Sequence, residues 1–132
     1  MTNFGFIGLG GRGQSMLREL ISVDGVKVTA VCDKYDDRAN LGAEIVKEKT
    51  GEDAQVYLDY KELLARDDIK GVVVCTTWIT HSEIALAAMN AGKHVLSEIP
   101  AVGSIEEAKV LKELVNSHPE LIYMAAENCC YW

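Results

Sequence analysis

The sequence predicts an α/β fold, a doubly wound parallel sheet with helices on both faces. Three observations carry that expectation. Short apolar runs alternate with helical patterns from one end of the 132-residue chain to the other. One run, Val72-Val73-Val74, is branched and apolar throughout, as befits a strand covered on both faces. Several intervening segments open with a cap-x-x-Glu pattern, in which side chains satisfy the free N–H groups of a helix start.

Taken in order, the strands are expected at residues 4–7, 26–32, 71–75, 94–97 and 121–126. The first run leads through a glycine-rich turn into the first helix. Asp59 with Glu62, Thr80 with Glu83 and Ser104 with Glu107 mark later helix starts. Leu58 with Leu63, and Ile79 with Ile84, occupy the positions of hydrophobic staples around the first two caps. A helix over residues 82–91 is closed by Gly92, where a left-handed residue is wanted. Strand, helix, strand, repeated, gives three layers, α/β/α, with no internal repeat and no linker.

Composition narrows the function. Hydrophobic residues make up 48% and charged residues 25%, with two prolines, a globular profile. Thirteen basic against twenty acidic residues leave a net charge of −7, which disfavours nucleic acid and anionic lipid as partners. Any phosphate must be held by local backbone geometry. Cys32, Cys75, Cys129 and Cys130 form no CxxC pair and no zinc-like spacing with histidine, so no metal site is expected. The opening MTNFGFIGLG lacks the basic and long apolar regions of a signal peptide, and no run approaches a membrane span. A cytoplasmic, reducing location is expected.

The chemistry lies in Gly8-Leu9-Gly10-Gly11-Arg12-Gly13, a G-x-G-x-x-G that follows the first strand and opens the first helix. Gly8 permits the tight turn, Gly10 lets a diphosphate approach the backbone, and Gly13 lets helix and strand pack closely. The helix N-terminus then offers free N–H groups to the anion. The second strand ends in Asp33, twenty residues beyond Gly13, where a carboxylate accepts from adenosine ribose hydroxyls and repels a 2′-phosphate. NAD is therefore expected over NADP. Lys34 and Arg38 leave NADP open, since either could reach a 2′-phosphate; a solvated loop is their other reading. At the end of the third strand, Thr76, Thr77 and Trp78 should line the cofactor groove. Trp78 covers a face of the nucleotide or packs against another domain. His81, at the first helical position, is placed near the cofactor but not as proton donor.

With these residues in hand, the chain resembles the N-terminal domain of the glucose–fructose oxidoreductase, inositol dehydrogenase and rhizopine-catabolism (Gfo/Idh/MocA) family. The supporting residues are Gly8 to Gly13, Asp33, and the run from His81 through Ala91-Gly92-Lys93-His94-Val95 to Glu98-Ile99-Pro100. The resemblance implies a Rossmann-type domain over residues 1–127. It also implies that residues 128–132 begin a C-terminal α/β domain supplying substrate contacts and catalytic groups, so this segment alone is expected to be inert. Glu98, Pro100 and Asn128 join the expected cofactor contacts. The family's usual Glu-Lys-Pro reads Glu98-Ile99-Pro100 here, and isoleucine has no titratable group with which to move a proton. No catalytic residue is therefore assigned.

The resemblance implies hydride transfer from a sugar, polyol or related hydroxyl-bearing small molecule. Glu-Ile-Pro and the ending Glu127-Asn128-Cys129-Cys130-Tyr131 also resemble branches similar to NAD-dependent α-N-acetylgalactosaminidases. There a sugar hydroxyl is transiently oxidised, the glycosidic group is eliminated, and the hydride returns. A non-catalytic dinucleotide sensor is the third reading. Apolar surface around Tyr123, Met124, Tyr131 and Trp132 leads us to expect self-association into a homo-oligomer.

Overall fold

A computed structural model describes residues 1–131, with Tyr131 described by its backbone alone. Six parallel strands, β1 (Thr2–Ile7), β2 (Val26–Cys32), β3 (Gln55–Tyr57), β4 (Gly71–Val74), β5 (His94–Ser97) and β6 (Tyr123–Ala125), lie in the order β3-β2-β1-β4-β5-β6. The helices are α1 (Gly11–Leu20), α2 (Asp36–Thr50), α3 (Tyr60–Leu64), α4 (Trp78–Asn90) and α5 (Ile105–Ser117). This is the doubly wound order, and the chain reverses its direction of winding between β1 and β4.

Alternation along the strands divides the core. Val72 and Val74 point to one face with Ile7, where they meet Leu63 of α3, Ala85 and Met89 of α4, and Leu111 of α5. Val73 and Phe6 point to the other, against Leu17 of α1 and Ile45 of α2. All four residues of β4 are buried, and each such valine contributes about 1.5–3 kcal/mol. One irregularity breaks the period. The register of β1 on β2 passes from Phe4↔Val28 to Gly5↔Ala30, so Thr29 bulges out, and Val28 and Val31 share a face. Arg66 Nη1 donates to the Thr29 carbonyl oxygen at 3.1 Å, satisfying a group in the irregular stretch.

Two of the expected helix starts hold. The Asp59 carboxylate accepts from Lys61 N at 2.9 Å, and the Ser104 hydroxyl accepts from Glu107 N at 3.1 Å. The third is corrected. α4 begins at Trp78 with Thr77 as its N-cap, so Thr80 lies inside the first turn and donates to the Thr77 carbonyl at 2.9 Å. Glu83 turns away to accept from Tyr60 OH at 2.7 Å. The earlier start makes His81 the fourth helical residue rather than the first. The staples also fail: Ile79 is 86% exposed, and Leu58 remains more than half exposed. Gly92 follows the end of α4 with a φ of 72°, as expected. No strand was expected at β3, which is only three residues long with Gln55 exposed.

Among the described residues, no helix is long and apolar enough to cross a membrane. Met124 is 46% exposed and Tyr123 half-buried; the Tyr131 side chain and Trp132 lie outside the described residues.

Two outcomes follow from this packing. A Cβ at Gly13 would stand 2.0 Å from the Gly8 carbonyl oxygen, whereas one at Gly10 meets nothing within 4 Å. Gly13→Ala therefore lowers unfolding stability by about 2–3 kcal/mol in urea titrations, and Gly10→Ala changes it by less than about 0.5 kcal/mol. Burial pushes the Cys32 thiol up to about 12 and the Cys75 thiol up to about 11, while Cys129 and Cys130 are exposed. At pH 8 a thiol reagent should label Cys130 quickly, Cys129 more slowly because the neighbouring Glu127 raises its thiol, and Cys32 and Cys75 only when the chain unfolds.

Candidate dinucleotide-binding site

The turn from β1 into α1 is shaped by close backbone approach. Gly8 has a φ of 98°, and a Cβ there would stand 2.4 Å from the Cys75 carbonyl oxygen. Gly13 is pressed onto Gly8 as described, so strand, helix and the loop after β4 meet with no side chain between them. Gly10 and Gly11 face open space. The first bond of α1 runs from Gln14 N to the Gly10 carbonyl at 2.9 Å. No side chain caps this helix, and its first turn carries no acidic residue. The preceding amides, of Gly11, Arg12 and Gly13, are thus left with the positive end of the helix dipole, the arrangement that suits an anion.

Asp33 ends β2 beside this turn and is 8% exposed. Its Oδ2 accepts from Leu9 N at 2.7 Å, and its Oδ1 accepts from Tyr35 N at 3.0 Å. The carboxylate therefore fastens the glycine turn to the end of β2, and each oxygen keeps a further lone pair for a ligand. The Leu9 side chain is fully buried, so Leu9 serves the site through its backbone.

A groove of about 440 Å³ runs along this edge. Gly8, Gly10, Asp33, Lys34 and Arg38 line one part of it, and Thr76 and Thr77 another. Sequence reasoning missed Tyr35, Leu58, Tyr60 and Thr80, which also line it. Tyr35 is flanked by cations, with Lys34 Nζ 4.8 Å and the Arg38 guanidinium 4.6 Å from the ring centre. A tyrosine two positions beyond the acid was the available signal. Leu58 and Tyr60 follow β3, and without that strand they had no place in the fold. The hydrogen bond to Glu83, with burial adding to it, pushes the Tyr60 hydroxyl up to about 12, so it remains a donor. Thr80 joins its neighbours in a hydroxyl cluster, 2.8 Å from Thr76 Oγ1 and 3.3 Å from Thr77 Oγ1.

The remaining expected contacts stand outside the groove wall. Trp78 is 71% exposed and borders a shallow depression with Thr76, Thr77 and Ile79. His81 is 1% exposed, its Nδ1 lying 2.8 Å from the Pro100 carbonyl and its Nε2 3.1 Å from the Thr76 carbonyl. It thus sits between the loop after β4 and the turn after β5, behind the groove, where a single ring N–H can donate to either carbonyl. In that turn the Ile99–Pro100 peptide is cis, and Glu98 pairs with Arg12. Asn128 is exposed in a final 3-10 turn, Asn128–Tyr131. An open cradle of amides beside a buried carboxylate fits the diphosphate and ribose of a dinucleotide.

Comparison with known proteins agrees with this geometry. The Gfo/Idh/MocA profile, described as an oxidoreductase family with an NAD-binding Rossmann fold, matches residues 2–126. A glycosyl hydrolase family 109 protein from Solibacter usitatus is 39% identical over 139 residues, taking in 98% of this chain and 31% of that protein. A 3-ketoreductase from Actinomadura kijaniata, solved with TDP-benzene and NADP, superimposes with a TM-score of 0.80 at 29% identity. The match covers 94% of this chain and 37% of that one. The scyllo-inositol dehydrogenase of Lactobacillus casei, solved with NAD(H) and scyllo-inositol, shares the fold with a TM-score of 0.86 at 21% identity, over 96% of this chain and 36% of that one. The chain therefore spans about a third of the length of these relatives. It belongs to the Gfo/Idh/MocA oxidoreductase family and carries that family's NAD-binding Rossmann domain.

Proposed function

We propose that this chain is the cofactor-binding part of an enzyme that takes a hydride from a hydroxyl-bearing carbon of a sugar, polyol or related small molecule. The observation that carries the reading is the uncapped N-terminus of α1, opening onto the groove beside Asp33. NAD, when bound, supplies the hydride acceptor. The amides of Gly11, Arg12 and Gly13 bind and orient the diphosphate, and Asp33 accepts from the adenosine ribose hydroxyls. Thr76 and Thr77 direct the groove across the point where the sheet order reverses. His81 holds that loop in place through backbone carbonyls rather than moving protons.

NAD is favoured over NADP because a 2′-phosphate would meet the Asp33 carboxylate. Lys34 and Arg38, the cations that could offset it, are drawn onto the Tyr35 ring. A cytoplasmic location is part of the same proposal, supported by four free cysteines. So is self-association, through exposed Ile122 and Met124 by the β6 edge.

Two observations favour a second outcome for the same chemistry. Ile99 stands where the family's usual motif has lysine, and the Solibacter relative is named as a glycosyl hydrolase. In that reading the hydride returns to the sugar after a glycosidic bond has broken, with no net change in the cofactor.

Fluorescence titration of the chain with NADH and NADPH checks the site. Gly10→Ala should weaken NADH binding at least about tenfold although the fold is untouched. Asp33→Asn keeps an oxygen for Leu9 N but loses the charge; NADH affinity should fall by about tenfold while the preference over NADPH shrinks. Equal affinities for both coenzymes in the unaltered chain would contradict the Asp33 assignment. For the full-length protein with NAD and a panel of sugars, net NADH formation supports dehydrogenation. Sugar release with solvent deuterium uptake and no NADH supports the second outcome, and neither signal refutes both.

A further inference from the structure

Arg12 occupies the second position of α1, among the amides that face the open cradle, with its side chain nearly half exposed. Its Nε donates to Glu98 Oε1 at 2.5 Å, an ion pair between residues 86 positions apart. Glu98 is held firmly on its own side. Its amide donates to the Val74 carbonyl at 2.8 Å, its Oε2 accepts from Ile99 N at 3.3 Å, and its side chain is largely buried. Glu98 therefore keeps a carboxylate beside the first turn of α1, the place best suited to another anion.

A diphosphate held by the amides of that turn would be drawn to the same cation. Arginine offers several donors, but its one positive charge is already neutralised by Glu98. We propose that Glu98 competes with the cofactor's diphosphate for Arg12, so that this acidic residue acts as a built-in brake on dinucleotide affinity. The inference rests on the dinucleotide reading of the groove and goes beyond it: Arg12 is a residue shared between two anions, and Glu98 sets how tightly the second one is held. Because Arg12 is partly exposed, the competition is screened by salt and its size is modest.

Calorimetric titration with ADP, and with adenosine as a ligand lacking phosphate, tests this on four forms of the chain: unaltered, Glu98→Gln, Arg12→Gln and the double variant. Glu98→Gln should tighten ADP binding about three- to tenfold at low salt and leave adenosine unchanged, and the gain should shrink as salt is raised. Arg12→Gln should weaken ADP binding, and adding Glu98→Gln to it should recover less than about twofold. Loss of ADP affinity in Glu98→Gln would overturn the proposal. So would a full gain persisting without Arg12, which would reduce Glu98 to direct repulsion. If the unaltered chain binds adenosine but not ADP, the diphosphate site itself is refuted. The unaltered chain gives an independent readout free of any folding defect. Its Arg12 Nε–H proton resonance should move on saturation with ADP, and an unmoved resonance contradicts the exchange of partners.

Discussion

The structure depends on the contact of three backbones at the point where the sheet reverses its winding. β1 ends against the Cys75 carbonyl, and α1 starts against the Gly8 carbonyl, both at distances that exclude a Cβ. This proximity puts the positive end of α1 directly over the carboxyl ends of β1 and β4. It also explains why Gly8 and Gly13 differ in kind from Gly10 and Gly11. The first two are required by the fold, and the second two leave space that the fold does not use.

Asp33 adds the electrostatic half. In a chain with a net charge of −7, a buried carboxylate next to an anion site would be unfavourable unless donors met it. Leu9 N and Tyr35 N do so, which turns Asp33 into a brace between the glycine turn and β2. Charge around the groove is arranged locally and in pairs: Asp33 with amides, Arg12 with Glu98, and Lys34 and Arg38 with Tyr35. Bulk charge has little part in it. The thermodynamic consequence is that affinity and fold are separable at Gly10 and inseparable at Asp33.

Much of this was legible in the sequence because it is written in short-range patterns. The valines of β4, the glycine spacing, and the caps Asp59 and Ser104 each report a local constraint that tertiary structure did not override. The misses share a cause as well. β3 is three residues of mixed polarity that pair only because β2 offers an edge, so no period marks it. The start of α4 lay hidden because Trp78 and Ile79, exposed in the fold, look like core residues in a sequence. With the earlier start of α4, His81 is its fourth residue and lies buried between the loop after β4 and the turn after β5. The Arg12–Glu98 pair spans most of the chain and has no sequence signature.

The decisive measurement is an amide-resolved NMR titration of the chain with NAD. Diphosphate docking at the α1 N-terminus requires the largest shifts at Gly10, Gly11, Arg12 and Gly13, with smaller ones at Leu9, Asp33 and Thr76, and none along β6. Shifts that spare the glycine turn, or no shifts at millimolar NAD, would contradict the assignment of this helix start as the cofactor's anchor.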